Sequence, residues 1–173
     1  MATTAQVREH EKIELAASVL RSGGSVRLRV FGTSMLPSLW PGDLVAVENN
    51  APTKFVPGDI VLLLRDRRFL AHRLLAQPGT QWITRGDAMP QNDPPAQAGD
   101  LLGRVVRVER HGRSLLPPPV SPLTRMLASI LCHCDFVRSV ALRLHSARQR
   151  YLEREVLDME TRAPLVTQFL GHA

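Results

Sequence analysis

Ile60-Val61-Leu62-Leu63-Leu64, then Arg65-Asp66-Arg67-Arg68, then Phe69-Leu70-Ala71-His72-Arg73-Leu74-Leu75: two apolar runs of β type are split by a charged tip. The pattern predicts a β-hairpin. His72 falls mid-run in the second strand, on a fixed backbone where a general base would be well held. Working outward, Val26-Arg27-Leu28-Arg29-Val30 alternates as a strand, and further strands are expected at about 44–48, 81–85 and 101–109, between Pro, Gly and Asp turns. Pro-Gly-Asp occurs at both 41–43 and 57–59, which reads as recurring turn chemistry and not as a repeat. Trp82 reads as core or pocket wall. Residues 4–21 read as a short amphipathic helix with Thr3 and Gln6 in capping-box spacing, ended by Ser22-Gly23-Gly24. A helix-turn-helix would need a second helix at that point. The strand pattern there argues against a DNA-reading repressor.

Upstream of the hairpin the chain reads Gly32-Thr33-Ser34-Met35-Leu36-Pro37, with Pro41-Gly42-Asp43 following. A nucleophilic serine needs an exposed, tight turn from which its hydroxyl and its own N–H both reach a carbonyl. Small residues at 32 and 33 permit that approach, and Pro37 stiffens the exit. Downstream, Ile83-Thr84-Arg85-Gly86-Asp87-Ala88-Met89-Pro90-Gln91-Asn92-Asp93-Pro94 runs from a strand end into a loop carrying two carboxylates. Serine, histidine and aspartate are the parts of an acyl-transfer triad: nucleophile, base and the group that orients the imidazole. Taken singly, each is as compatible with a plain turn, a structural histidine or a loop-holding aspartate.

With these segments together the chain resembles the type I signal peptidase catalytic domain, in the serine-peptidase clan (S24/S26) that also holds self-cleaving SOS-type repressors. The resemblance rests on Ser34-Met35-Leu36-Pro37, on Gly58-Asp59-Ile60-Val61 and on Gly86-Asp87-Ala88 through Asp93, over roughly residues 26–108. It implies a mainly β fold of the signal-peptidase and SOS-repressor type. Most bacterial members use a Ser-Lys dyad, whereas here His72 fills the lysine position. That is similar to the endoplasmic-reticulum and archaeal-like branch, which uses Ser, His and Asp. The resemblance implies Ser34 as nucleophile, His72 as base, Asp93 as triad acid and Asp87 as a support. Asp87, in its Gly-Asp turn, is expected to bond backbone N–H groups. Gly32, Thr33, Met35 and Pro37 are the matching candidates for substrate contact, and a preference for small residues at the cleavage site is implied.

The histidine has a chemical consequence. A lysine base must be driven neutral by burial, while an imidazole with an ordinary pKa near 6.5 needs far less tuning but does need a partner that fixes its tautomer. Family members with a serine two places before the nucleophile can offer its hydroxyl to the oxyanion. Gly32 stands there in this chain, so the Ser34 backbone N–H is the oxyanion donor that can be named.

The 173 residues suit one domain with appendages. A net charge of +6 favours an anionic partner surface, but with 5% aromatic residues and no base-reading motif, nucleic acid is not expected. Nearly all the positive charge is arginine, with Lys12 and Lys54 the only lysines. Cys132 and Cys134 are read as reduced thiols in one helix, too few and too divergent for a metal site, and neither metal nor cofactor is expected. No segment reaches the roughly 18 apolar residues of a membrane span, and no basic-then-apolar signal sequence is read at the start. Together these predict a cytoplasmic protein, a departure from the anchored signal peptidases.

Four parts are expected: a helix and turn over 1–24, a β peptidase domain over 25–116, a stiff proline linker over 117–121, and a helical extension over 122–173. Ser121-Pro122 is a helix start, and neither proline nor glycine interrupts 123–163. The apolar and arginine spacing there predicts one long basic amphipathic helix, packed on the domain or, over 122–157, lying on an anionic membrane surface. Two functions stand side by side. One is a serine endopeptidase acting on an extended peptide or protein substrate. The other is a catalytically silent peptide-binding or regulatory module of the same fold. Self-cleavage lacks an Ala-Gly or Cys-Gly site before Ser34.

Overall fold

In the computed structural model, residues 4–49, 55–119 and 121–162 are described. Helix α1 (Thr4–Arg21) leads into β1 (Ser25–Arg29), β2 (Leu44–Glu48), the hairpin β3 (Ile60–Arg65) and β4 (Arg68–Ala76), and the short β5 (Ile83–Arg85). A 3-10 turn (Ala98–Asp100), β6 (Leu101–Arg110), β7 (Arg113–Leu115), α2 (Pro122–His133) and α3 (Asp135–Arg162) complete the described order. The strands form one antiparallel sheet in the order β1-β2-β6-β3-β4-β5, with β7 paired to β6. The mainly β class read from the sequence is what the chain adopts.

Local chemistry explains the boundaries. Gly23 ends α1 with a positive φ of 84°, and the Gly24 N–H reaches back to the Val19 carbonyl at 2.9 Å, the glycine C-cap that Ser22-Gly23-Gly24 signals. The capping box expected from Thr3 falls outside the described residues. The two Pro-Gly-Asp turns are built alike. Gly42 and Gly58 take φ of 95° and 105°, and Asp43 and Asp59 each accept a hydrogen bond from the backbone N–H three residues earlier. The charged tip of the hairpin is tighter than its four residues suggest. Arg65 and Arg68 pair within the strands, and Asp66 and Arg67 alone turn the chain, at φ of 49° and 60°. Such a left-handed two-residue turn matches the natural strand twist. His111 and Gly112 make the same kind of turn into β7, a strand the sequence pattern did not signal.

Apolar alternation sorts the strands onto two faces. Ile60 and Leu62 enter a core with Ala17, Leu20, Val45, Val47 and Leu102. Val61 and Leu63 enter another with Phe55, Leu74, Trp82, Ala96 and Leu101. Because β3 is buried on both faces, its sequence is a continuous apolar run. Trp82 is core, set edge-on to Phe55 with ring centroids 5.9 Å apart. Each fully buried Leu or Ile contributes about 1.5–3 kcal/mol, so the hairpin anchors both faces.

Two expectations about the C-terminal part change. The single helix over 122–157 is interrupted at Cys134, whose φ of −121° and ψ of 94° are extended. α3 begins at Asp135. Cys132 and Cys134 therefore do not share one helix. α2 segregates apolar and polar residues clearly, and α3 hardly does so. The first compact unit of the chain runs through Asp135 and includes α2, which buries Ala128 and Leu131; α3 belongs to a second unit from Phe136. The proline run is held as well as stiff, since the Pro118 carbonyl accepts a bond from Arg73.

Candidate active site

The serine loop is held from below by its own apolar residues. Met35, Leu36 and Leu39 are buried, with Met35 and Leu39 in the α1-side core, and the Leu39 N–H bonds the Met35 carbonyl. Met35 is thus a loop anchor; a side chain 3% exposed cannot line a substrate groove, which corrects that expectation. The Leu36–Pro37 peptide is cis, and the Pro37 carbonyl accepts from the Trp40 indole N–H. With its neighbours pinned, Ser34 stays half-buried at the loop surface.

From above, the loop is clasped by the segment after β5. The Ala88 N–H donates to the Ser34 carbonyl at 2.8 Å. Gly86 sits so close that a Cβ there would lie 2.6 Å from that carbonyl oxygen and 3.0 Å from the Ser34 Cβ. Glycine is required here by close approach, since no side chain fits between the two segments.

β4 carries His72 across from Val61 of β3, 7% exposed. The Ser34 Oγ lies 3.0 Å from His72 Nε2, and His72 Nδ1 lies 2.6 Å from Asp93 Oδ2. A carboxylate only accepts, so Nδ1 carries the proton and Nε2 presents its lone pair to the serine hydroxyl. Asp93 is itself fixed: its backbone N–H bonds the Thr84 carbonyl, and its Oδ2 accepts from the buried Thr84 hydroxyl at 2.7 Å. Burial alone would raise the Asp93 pKa. The bonds from His72 and Thr84, with the positive charge of His72 and Arg65, outweigh it and hold the carboxyl below its ordinary value. Asp93 therefore stays an acceptor through the range in which an imidazole titrates.

A model of the Peptidase S24-like family matches residues 1–106, the α1-to-β6 part of the chain that supplies Ser34, His72 and Asp93. The chain belongs to that family. It holds serine peptidases and also members without catalytic activity. No curated protein matches the chain.

The other carboxylate of this S24-like domain does something else. Arg73, next to His72, points to the opposite face of β4 and is 2% exposed. Its Nε and Nη2 donate to the two oxygens of Asp87 at 3.0 and 2.6 Å, Nη2 also to Ser38 Oγ at 3.0 Å, and Nη1 to the Gly58 and Pro118 carbonyls. The Ser38 hydroxyl donates to Asp87 at 2.5 Å. The expectation that Asp87 bonds backbone N–H groups is corrected: its partners are side chains, because the turn aims the carboxylate at the arginine side of β4. Asp87 makes no hydrogen bond or ion pair with His72. The network joins the serine loop through Ser38 and the carboxylate loop through Asp87.

Gly32 has open space around it, with nothing within 4 Å of where a Cβ would stand. Among the described residues no backbone carbonyl accepts from the Ser34 N–H. Thr33 and Pro37 are half-buried beside the serine. A hollow of about 590 Å³ bordered by Arg73, Asp87, Arg85 and α2 touches neither Ser34 nor His72. Among the described residues no three metal-binding side chains cluster, and no helix is long and apolar enough to cross a membrane. Arg73, Ser38, Thr84 and Gly86 were missed in the sequence. Only Gly86 carried a local signal, as the glycine of a Gly-Asp turn.

Proposed function

We propose that this protein is a serine endopeptidase with a Ser34-His72-Asp93 triad, akin to the Ser-His-Asp branch of the signal-peptidase-like enzymes. The observation that carries the reading is the continuous bond chain from Ser34 Oγ through both imidazole nitrogens to Asp93, at 3.0 and 2.6 Å. A separation of 3.0 Å is within proton-transfer reach. In the proposed cycle Nε2 takes the Ser34 proton as Oγ attacks the peptide carbonyl carbon. The resulting imidazolium, stabilised by Asp93, passes that proton to the leaving amine. A water then attacks the acyl ester with His72 again as base, and the serine is restored. The Ser34 N–H would bond the oxyanion, an interaction of about 3 kcal/mol in the transition state.

An extended peptide at the open side of the Ser34 loop fits this reading, because Gly32 beside the serine is exposed with open space around it. Acceptance of small residues at the cleavage site follows from the family resemblance. The test is labelling with a fluorophosphonate probe. Wild type is expected to label at Ser34, with labelling lost in Ser34→Ala at unchanged melting temperature. A folded wild type that never labels, or a Ser34→Ala variant that cleaves peptide normally, returns the protein to the silent-module reading.

A further inference from the structure

Two arginines of the first compact unit stand where positive charge is costly. Arg85, the last residue of β5, is paired directly across from Arg73 of β4, so the two side chains leave the sheet on the same face. Like charges opposite one another repel. Asp87 and Ser38 satisfy Arg73, whereas the Arg85 guanidinium has no hydrogen-bond or ion-pair partner among the described residues. Arg125 is the fourth residue of α2, near the positive end of the helix dipole, and the first turn of that helix holds no acidic residue. Its guanidinium also has no partner among the described residues.

Both arginines border the hollow of about 590 Å³. Arg73 and Asp87 border it too, and Asp87, its only carboxylate, is already committed to Arg73. Three arginines against one carboxylate leave a surplus of two positive charges. Met89 and Pro90 add apolar wall. A hollow of this size that combines apolar wall with a few polar groups has the form of a small-molecule site. We propose that it binds a small phosphomonoester, with Arg85 and Arg125 donating to the phosphate oxygens and the organic part set against Met89 and Pro90. A phosphomonoester carries nearly two negative charges at pH 7, which matches the surplus, and its oxygens match the planar guanidinium fork. A carboxylate carries one charge and leaves one arginine uncompensated. The site is separate from the triad, because the hollow touches neither Ser34 nor His72. It stands whether or not the serine is catalytic.

The test is isothermal titration calorimetry of the full chain at neutral pH with phenyl phosphate, benzoate and benzyl alcohol, three probes that share a ring and differ in charge. Saturable one-to-one binding of phenyl phosphate is expected, with benzoate weaker and benzyl alcohol silent. Arg85→Gln and Arg125→Gln should each raise the Kd for phenyl phosphate about tenfold or more, the loss of one charge-assisted contact. Neither guanidinium has a partner to lose in the free protein, so both variants should melt no lower than wild type. No saturable binding of phenyl phosphate up to about 10 mM, a concentration that would reveal even a millimolar site, overturns the proposal. So does binding that both variants retain in full. Benzoate bound as tightly as phenyl phosphate overturns the assignment to a phosphate. A melting temperature lowered by several degrees in Arg85→Gln and Arg125→Gln alike gives these arginines structural partners and removes the basis of the site.

Discussion

His72 and Arg73 are neighbours on one strand, yet the two faces they serve are built to opposite rules. On the histidine face the bond chain is open at one end, because the serine hydroxyl donates to an imidazole and still faces solvent. On the arginine face the network is closed. All five guanidinium N–H groups are engaged by Asp87, Ser38, Gly58 and Pro118. An open chain suits proton transfer, whereas a closed one holds geometry, since a buried charge with every donor satisfied has one low-energy arrangement. Alternation along β4 lets the same strand do both without the two carboxylates competing for the imidazole.

The comparison breaks most sharply at the two aspartates. Asp93→Asn should reduce kcat/KM by about 10⁴, because an amide no longer holds the imidazole in the right tautomer, while melting shifts little. Asp87→Asn should do the reverse in emphasis. Removing one partner of a buried pair leaves Arg73 uncompensated, at a cost of about 3–5 kcal/mol in denaturant unfolding, with activity lost only in proportion to folded protein. A stable, inactive Asp87→Asn variant would show that the arginine face acts in the chemistry after all.

Gly86 sharpens the same contrast at smaller scale. Gly86→Ala must push back the Ser34 carbonyl and Cβ, both within 3.0 Å of the new methyl group. A displacement of about 1 Å at a nucleophile costs about 10²-fold in kcat. Steady-state kinetics should show that loss with the Arg73 network, and hence cooperative unfolding, largely preserved.

The weakest predicted effect is in stability against pH. The folded-state pKa of Asp93 is below its ordinary 3.8, so the unfolded chain takes up the proton first as pH falls. The stabilisation from the carboxylate is complete above that value and disappears as pH drops through the folded one. The difference in unfolding free energy between wild type and Asp93→Asn should be flat from neutral pH to about 5 and shrink below 4. A gap that widens on acidification would mean that the carboxyl is raised, not lowered.

By itself the sequence pointed to the hairpin, the turns and three side chains that the fold brings together, Ser34, His72 and Asp93. Apolar runs, positive-φ glycines and Gly-Asp turns act through the chain's nearest neighbours, so β3, β4 and the cap of α1 were legible to within a residue or two, as were Ser34, His72 and Asp93 through the motifs that hold them. What depended on distant residues was not legible. The Arg73 side chain reaches Ser38, 35 positions away, and Pro118, 45 away, and no local pattern records such a partnership. Asp87 bonds an arginine where its turn suggested backbone, and Met35 packs as core where its motif suggested substrate. The break at Cys134 had no glycine or proline to announce it. Ala128 and Leu131 of α2 are buried while their helix neighbours stay exposed, a difference that depends on what the fold sets beside the helix. Local backbone preference is written residue by residue, but a buried charge or a helix face acquires its role from whatever the fold sets opposite it.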